Sequence, residues 1–255
     1  MILRRPPHSP RIKGVLAITF ALLFSVARVH AVHPAPQRIL WIGAHPDDEA
    51  YVSPLLGRSC VEAGDACSIL VMTRGEEGGD PAVRTIEMQR AAALFHAHLN
   101  QWDFADVGVD VENVWSAQAG GHDALLDRIA SLITAESPTI IYTFDPNHGS
   151  SCHTAHRAVG SLVIEALARL GSAAPPVWFV ETVVTFLPDD FVFAAASSDA
   201  MSFIATSTWH YLVDDVATHA SQFSAAQVEA LRNTPEDERR VWLATVPAQK
   251  YSCGT

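Results

Sequence analysis

The alternation of short apolar runs with longer segments of helical pattern is the feature that most constrains how this chain folds. The runs "ILWIGA" (39–44) and "TIIYTF" (139–144) are almost continuously apolar. Such runs are typical of parallel strands that helices cover on both faces. Strands that alternate with helices indicate βαβ units. The pattern therefore predicts one α/β domain with a Rossmann-like, mainly parallel sheet and helices on both faces.

The predicted elements also indicate where a ligand would bind. Further strands are expected at "CSILVMT", "QWDFADV", "PPVWFVETVVTF" and "DDFVFAAA", and helices at 48–63, 82–99, 121–136, 153–170 and roughly 213–231. In parallel α/β sheets, ligands bind at the carboxyl ends of the strands. The residues directly after "ILWIGA" and "TIIYTF" are therefore the first candidates for a functional site.

The first 31 residues have the pattern of a secretory signal peptide. Basic residues precede an apolar run, 15–26, and the small residues Val29 and Ala31 suit a peptidase cleavage site. The run is short for a membrane span, and an uncleaved amino-terminal anchor is the alternative. We therefore expect an exported protein, periplasmic or extracellular, whose domain occupies residues 32–255. No stable membrane insertion is expected after cleavage.

The charge of the expected mature chain excludes some partners. The 224 residues after position 31 carry 12 basic and 28 acidic residues, a net charge of −16. Nucleic acids and anionic membrane surfaces repel a protein of this charge. We therefore expect neither as a partner.

All four cysteines lie in the expected mature part, at Cys60, Cys67, Cys152 and Cys253. Disulfides persist in exported proteins, and four cysteines allow three pairings. The pair of Cys60 with Cys67 is the easiest to form locally. The alternative is that some or all are buried thiols, because a chain of this length can build a core without cross-links.

Charge is concentrated in "AHPDDE" (44–49), directly after the first strand. If a helix begins there, His45 and Asp48 are three residues apart and face one point. An imidazole and a carboxylate are suitable zinc ligands, whereas Asp47 and Glu49 would point elsewhere and be free for acid–base chemistry. In the alternative interpretation, the acids only cap the amino-terminus of a helix.

A second cluster, "HTAH", opens the helix after "TIIYTF". His153 and His156 lie on one face of its first turn. Such pairs arise by chance in a chain with 12 histidines, and His30 and His33 form another. The location favours function, because both clusters follow strands whose carboxyl ends meet at one edge. Together they offer ligands for a catalytic Zn²⁺ with one position open for water, and Fe²⁺ also suits two histidines and a carboxylate.

Several segments together resemble one known family. "AHPDDE", "MTRGEEG", "RTIEMQRAA", "HTAH" and the late "THASQ" are similar to motifs of the PIG-L/LmbE family of zinc-dependent deacetylases, over roughly residues 38–222. Members of that family remove acetyl groups from N-acetylglucosaminyl conjugates or cleave related amides. The resemblance implies an N-deacetylase that acts on a small acetylated amino sugar or glycoconjugate.

The resemblance also implies roles for single residues. It assigns three zinc ligands, which are His45, Asp48 and His156. Asp47 would be the general base that acts on the metal-bound water, and His153 would stabilise the tetrahedral intermediate and help to protonate the leaving amine. Arg84 and Asp106 would contact sugar hydroxyls, with Arg84 supplying a rigid donor fork.

Two positions depart from the family pattern. Many members have an acid or amide between the two histidines, where it orients the catalytic imidazole, but this chain has Thr154 and Ala155 there. Some bacterial members place a tyrosine near the oxyanion, and the corresponding position here is Ser151. Support for His153 must therefore come from elsewhere or be missing, with weaker activity or an unusual substrate as the consequence.

Other polar residues are less informative. The loop "TRGEEGG" (73–79) leaves the same sheet edge as "AHPDDE" and is predicted to face the substrate. His148, in the loop before "HTAH", is predicted to be an exposed loop residue, and the alternative is that it assists the site. The six tryptophans are predicted to be core or cleft-wall residues rather than a stacking platform for a sugar.

The sequence therefore predicts an exported zinc-dependent amide hydrolase, and specifically an N-deacetylase of an N-acetylglucosamine-type sugar or glycoconjugate. One alternative keeps the chemistry but takes a non-sugar amide. Another is a sugar-binding protein on the same fold without hydrolysis, and a third is a structural protein in which the acids are only helix caps. The acyl group, its carrier and the oligomeric state are left open.

Overall fold

A computed structural model of the chain describes residues 36–187, 190–248 and 253. The strands, in chain order, are β1 (Arg38–Gly43), β2 (Ala66–Thr73), β3 (His98–Phe104), β4 (Ile140–Phe144), β5 (Val177–Val180), β6 (Thr182–Leu187), β7 (Asp190–Ala195), β8 (Met201–Ile204) and β9 (Arg240–Ala244). The α-helices are α1 (Ser53–Leu56), α2 (Pro81–Leu94), α3 (Val111–Ala119), α4 (His122–Glu136), α5 (Gly149–Cys152), α6 (Thr154–Leu170), α7 (Trp209–Thr218) and α8 (Ala225–Arg232). The described residues all belong to one compact unit.

The main sheet is a mostly parallel sheet of seven strands in the order β3-β2-β1-β4-β5-β9-β8. β1, β2, β3, β4 and β5 are parallel, whereas β9 runs antiparallel to β5 and β8 antiparallel to β9. β6 and β7 form a separate antiparallel hairpin. The strand order reverses between β1 and β4, and such a reversal opens a crevice for ligands at the carboxyl ends of the two strands.

Strand β1 shows why both faces of the sheet are covered. Ile39 and Trp41 pack into the core on one face, together with α2 and α7, while Leu40 and Ile42 pack into the core on the other face, together with α4 and α6. Side chains of a strand alternate between faces, so a strand buried on both sides must be apolar throughout. The prediction of a mainly parallel α/β sheet with helices on both faces is thus confirmed.

Helix α6 lies unusually close to the end of β4 because it carries a glycine at its point of contact. A Cβ added at Gly160 would lie 2.4 Å from the carbonyl oxygen of Phe144 and 2.9 Å from the nitrogen of Pro146. Any larger residue would push the helix away from the strand. The first turn of α6, which carries "HTAH", is therefore held directly against the sheet edge.

Several predicted elements differ from the structure. The helix expected at 82–99 ends at Leu94, and β3 already begins at His98. The helix expected at 48–63 is a 3₁₀ turn (Asp48–Tyr51), α1 and a π-helical segment (Gly57–Glu62) in succession. The segment expected as one strand, "PPVWFVETVVTF", divides into β5 and β6, which belong to different sheets.

The predicted closing helix, roughly 213–231, was also wrong as a single element, because α7 ends at Thr218 and α8 starts after Ser224. The Ser224 side chain caps the new helix and Gln227 completes a capping box.

The predicted signal peptide, residues 1–31, lies outside the described residues. Among the residues that the structure does describe, no helix is long and apolar enough to cross a membrane.

The four cysteines form two disulfides, one local and one long-range. Cys60 pairs with Cys67, seven residues away, and Cys152 pairs with Cys253, 101 residues away. The pair that the sequence indicates as the easiest to form locally is therefore confirmed. The alternative that some or all of the cysteines are buried thiols is wrong. The second bridge attaches Cys253 to the residue that precedes His153.

Loss of the long-range disulfide should destabilise the protein more than loss of the local one. Constraint of the unfolded chain grows with the length of the closed loop, which gives about 4.7 kcal/mol for a loop of about 100 residues and about 2.5 kcal/mol for one of about 8. We expect the double variant Cys152→Ala/Cys253→Ala to lose more free energy of unfolding than Cys60→Ala/Cys67→Ala, measured by urea denaturation. Equal losses of unfolding free energy, or a larger loss for the local pair, would contradict this prediction.

Candidate active site and metal centre

Two motif segments meet where the strand order reverses. "AHPDDE" directly follows β1, and "HTAH" begins α6, which follows β4, the parallel neighbour of β1. The ring centroids of His45 and His153 are 4.8 Å apart, and those of His45 and His156 are 5.3 Å apart. Residues more than 100 positions apart are therefore assembled into one cluster by sheet topology.

The turn after β1 is held together by Asp48. Its Oδ2 atom accepts hydrogen bonds from the backbone N–H groups of Ala44 (2.7 Å) and His45 (2.8 Å). Asp47, in between, has a φ of 103°, in the left-handed region that a non-glycine residue rarely adopts. Backbone strain of this kind is typical of functional sites, where the surrounding structure holds it in place. In this turn the Asp47 carboxylate bonds Arg84, whereas the Asp48 carboxylate bonds the backbone of Ala44 and His45.

The predicted metal ligands converge on the Asp48 carboxylate. His156 Nε2 lies 2.9 Å from Asp48 Oδ1, and His45 Nδ1 lies 3.6 Å from Asp48 Oδ2. The outer nitrogen of each ring has its own partner: His156 Nδ1 is 3.0 Å from the carbonyl oxygen of Gly149, and His45 Nε2 is 3.1 Å from Asp106 Oδ1. Such outer partners fix the tautomer of a metal-binding imidazole. Two imidazoles and a carboxylate are a donor set that zinc accepts. His153 also belongs to the site, since ligand atoms of His45, His153 and His156 all lie within 4.8 Å of one another.

The electrostatics of this cluster favour a cation. Burial opposes the charge on Asp48, but the charges of His156 and His45 outweigh it and hold the pKa of the Asp48 carboxyl well below its usual range. Burial likewise opposes protonation of His45, yet Asp48 and Asp106 raise its pKa to about 10. The cluster therefore takes up a positive charge, which a proton or a metal ion can supply.

Asp47 points into the cavity and is held by Arg84. Arg84 Nη2 donates to the carbonyl oxygen of Pro46 (2.6 Å) and to Asp47 Oδ2 (3.1 Å), while its Nη1 donates to the carbonyl oxygen of Gly75 (2.8 Å). Burial and the neighbouring charge of Asp48 raise the pKa of Asp47 to about 7. A bound cation would lower it again, because it adds positive charge beside the carboxylate.

His153 lies on the solvent side of the cluster. Its ring stacks on that of His156 with centroids 4.5 Å apart, and partial burial together with the charges of His156 and His45 lowers its pKa to about 4. Thr154 donates its hydroxyl to the carbonyl oxygen of Gly108, and Ala155 is fully buried in the core. In the described part of the chain, no side chain hydrogen-bonds the His153 imidazole, so ring contacts alone orient it.

The segment "THASQ" connects the other motifs. His219 Nε2 lies 2.6 Å from Glu49 Oε1, Ser221 donates from its backbone and hydroxyl to Glu87, and Gln222 donates to the carbonyl oxygen of Gly78. One segment thus binds "AHPDDE", helix α2 and the loop "TRGEEGG".

The prediction that Glu49 is free for acid–base chemistry was wrong. Glu49 is fully buried and paired with His219, and burial raises the pKa of its carboxyl to about 8.

A cavity of about 380 Å³ opens at the cluster. Glu77 and Gly78 of the loop "TRGEEGG" line this cavity, in agreement with the prediction that the loop faces the substrate. Arg84 and Asp106 line it as well. The structure therefore brings all seven predicted site residues to one cavity, although Arg84 and Asp106 are engaged with protein groups. Trp209 lies in the apolar lining of the cavity, which agrees with its prediction as a core or cleft-wall residue, whereas the rest of that lining was not predicted.

His148 was predicted to be exposed, and this was wrong. It is fully buried, with its Nε2 atom 3.4 Å from Glu181 Oε2 and 3.8 Å from Asp145 Oδ1. His148 lies beside the carboxyl ends of β4 and β5. The sequence could not predict this burial, because residues of a loop follow no periodic pattern that separates buried from exposed positions.

Comparison with known proteins connects this site to a family. The profile of the family described as "PIG-L: GlcNAc-PI de-N-acetylase" matches residues 40–167, half of the chain. Among curated proteins, a 1D-myo-inositol 2-acetamido-2-deoxy-alpha-D-glucopyranoside deacetylase of Corynebacterium urealyticum is 28% identical over 251 residues, with 82% of this chain and 69% of that protein covered. A probable N-acetyl-alpha-D-glucosaminyl L-malate deacetylase 2 of Bacillus cereus is 28% identical over 154 residues, which cover 55% of this chain and 66% of that protein.

Among solved structures, N,N'-diacetylchitobiose deacetylase from Pyrococcus horikoshii has a TM-score of 0.60 at 16% identity, with 82% of this chain and 84% of that chain covered. At this identity the likeness shows a shared fold. The family profile includes "AHPDDE", "MTRGEEG" and "HTAH", the segments that build the cluster described above. The chain belongs to the PIG-L family of de-N-acetylases.

Proposed function

We propose that this chain is a zinc-dependent N-deacetylase that hydrolyses the amide of an N-acylated amino sugar or glycoconjugate. The observation that carries the proposal is the arrangement of a metal-type cluster and a separate acid in one cavity. His45, Asp48 and His156 face one another, while Asp47 projects into the cavity beside them. The named deacetylase relatives support an acetylated amino sugar as the substrate class.

Three residues would hold the metal, and they are His45, Asp48 and His156. When bound, zinc lowers the pKa of a coordinated water to about 7 and polarises a carbonyl group. Asp47 takes the proton of the attacking water, and Arg84 holds the Asp47 carboxylate in position through its hydrogen bond. His153 lies on the open side of the cluster, where its neutral imidazole would donate a hydrogen bond to the amide oxygen. The proton that Asp47 takes from water would then reach the leaving nitrogen, with His153 as the group that receives it and passes it on. Water adds to the carbonyl carbon, the C–N bond breaks, and a carboxylate and an amine leave.

One observation favours the alternative of a sugar-binding protein without hydrolysis. The residues that follow His153 do not orient its imidazole, since Thr154 is bonded to Gly108 and Ala155 is packed in the core. A misdirected His153 would reduce proton transfer to the leaving nitrogen while ligand binding persists. Acetate release that is lost in Asp47→Asn would exclude the binding protein, whereas ligand binding without acetate release would favour it.

Export is part of the proposal and is supported by two features. The first is the signal-like pattern of residues 1–31. The second is the pair of disulfides, Cys60–Cys67 and Cys152–Cys253, because disulfides persist in oxidising compartments.

Asp47→Asn should abolish turnover without loss of metal. An amide cannot take the proton of the attacking water, and loss of a general base costs about 10²- to 10⁴-fold in rate. We expect such a fall in acetate release from N-acetylated amino sugars, with about one zinc per chain retained by elemental analysis. The matched control is Asp103→Asn, since the Asp103 side chain is 81% exposed on β3. Undiminished turnover in Asp47→Asn, or a parallel loss of zinc, would contradict its role as the base.

Removal of the metal should reduce both turnover and stability. A chelator would leave the Asp48 carboxylate between two imidazoles without the cation, and a ligand that binds only the folded state stabilises it. We expect the unfolding temperature and the rate of acetate release to fall together after chelation and to recover with Zn²⁺ but not with Mg²⁺. Asp48→Asn should not recover. If chelated protein keeps its full rate, the metal-dependent mechanism fails.

A further inference from the structure

The cavity at the candidate site has two sides of different chemistry. Towards β2 and β3 it is lined by Glu77, Gly78, Arg84 and Asp106. Towards β5, β9 and the β6–β7 hairpin it is lined mostly by apolar side chains. The metal-type cluster, built on β1 and α6, lies between the two sides. An amide bound there would extend its two substituents towards different surroundings.

The apolar side is a continuous wall built from three elements. We call it the apolar wall, and it consists of Val184, Phe193, Trp209, Leu212 and Phe223. Val184 and Phe193 are directly opposite each other in the β6–β7 hairpin. The rings of Phe193 and Trp209 are in edge-to-face contact with centroids 5.4 Å apart. The hairpin and α7 thereby present one apolar surface to the cavity.

The polar groups on the apolar side are few and partly engaged within the protein: Thr182 has a backbone partner, and Arg240 uses two of its five N–H donors. Thr182 accepts a hydrogen bond from the backbone N–H of Trp242 at 3.0 Å. Arg240 donates from Nε to the carbonyl oxygen of Asp237 (3.0 Å) and from Nη1 to Ser202 Oγ (3.1 Å). A sugar placed on this side would find few partners for its hydroxyls, and burying a hydroxyl without a partner is costly.

The opposite side suits a hydroxylated group. Glu77 is an exposed residue at the cavity, and its carboxylate can accept hydrogen bonds from hydroxyls. Asp106 lies next to it, with its Oδ2 atom bonded to the backbone N–H of Glu77 at 3.1 Å. An amino sugar therefore fits the side of β2 and β3, and the acyl group then points towards the apolar wall.

We propose that the natural substrate carries an apolar acyl chain longer than acetyl, which lies against the apolar wall while the amino sugar occupies the opposite side. This inference rests on the proposed amide hydrolysis and specifies its acyl group. The lining of the cavity supports it: the whole cavity of about 380 Å³ has room for a small molecule, and its apolar side offers five apolar side chains, more than one methyl group can contact. An acetyl group would leave the apolar wall uncovered.

The first test is hydrolysis of glucosamine acylated with acetyl, butanoyl, hexanoyl and octanoyl groups. Burial of each methylene against an apolar surface contributes up to roughly fourfold in kcat/KM. We expect kcat/KM to rise along the series, and a flat or falling series would overturn the proposal while leaving amide hydrolysis intact. No release from any member would instead overturn the proposed function.

A second arm distinguishes the acyl chain from an apolar group attached elsewhere on the sugar. Octyl N-acetylglucosaminide carries its chain on the anomeric oxygen and keeps the acetyl group. We expect kcat/KM for N-octanoylglucosamine to exceed that for the octyl glycoside. The reverse order would place an alkyl aglycone, and not the acyl chain, against the apolar wall.

A matched pair of variants connects the effect to the wall. Val184 faces the cavity, whereas Val192 lies on the other strand of the same hairpin and is 48% exposed. We expect Val184→Phe to lower the ratio of octanoyl to acetyl kcat/KM and Val192→Phe to leave it unchanged. Equal ratios in the two variants would overturn the proposal.

A binding measurement covers the case in which Val184→Phe alters the fold. Octanoate and acetate are the expected product types, and their affinities for the wild-type, zinc-loaded protein can be compared by calorimetry. We expect octanoate to bind more tightly, with a negative heat-capacity change. Equal affinity for the two carboxylates would contradict an apolar acyl site.

Discussion

The carboxylate of Asp48 is the group on which the site depends. A buried charge is costly unless its oxygens are paired, and Asp48 is only 3% exposed. One of its oxygens fixes the backbone of the turn after β1, and the other lies against His156 of α6. The same side chain therefore shapes the loop, joins it to a helix more than 100 residues later, and supplies negative charge to a cation.

Around that carboxylate, the family motifs act as one bonded unit. Arg84 of α2 positions Asp47, and Glu87, one turn later on the same helix, binds Ser221. The imidazole of His219 binds the carboxylate of Glu49. Most of these buried polar atoms are paired within the network, but Arg84 Nε and His219 Nδ1 have no hydrogen-bond partner among the described residues. The division of the cavity into a polar and an apolar side follows from the sheet order, because β2 and β3 flank the cluster on one side and β5 and β9 on the other.

Much of the fold could be predicted because β1 and β4 are buried on both faces and must be continuously apolar. The assembly of His45 with His153 and His156 followed from parallel-strand topology. The capping of α8 by Ser224 and the separation of β5 from β6 were missed, since a pattern of apolar residues does not show where a chain changes direction. Glu49 was misassigned because its partner, His219, is 170 residues away. The apolar wall was missed for the same reason: its residues come from the hairpin, α7 and the segment after it, and only tertiary packing brings them together.

The bridge between Cys152 and Cys253 closes a covalent ring. That ring contains α6 with its two histidines and also the hairpin and α7, which form most of the apolar wall, whereas "AHPDDE" lies outside it. The connection from α8 to β9 is mostly exposed and is the kind of segment that proteases cut first. A single cut there would open the ring without releasing a fragment, so the histidines and the wall would stay on one covalently joined molecule. The disulfide therefore keeps these parts of the site on one molecule after such a cut, without any change to the site itself.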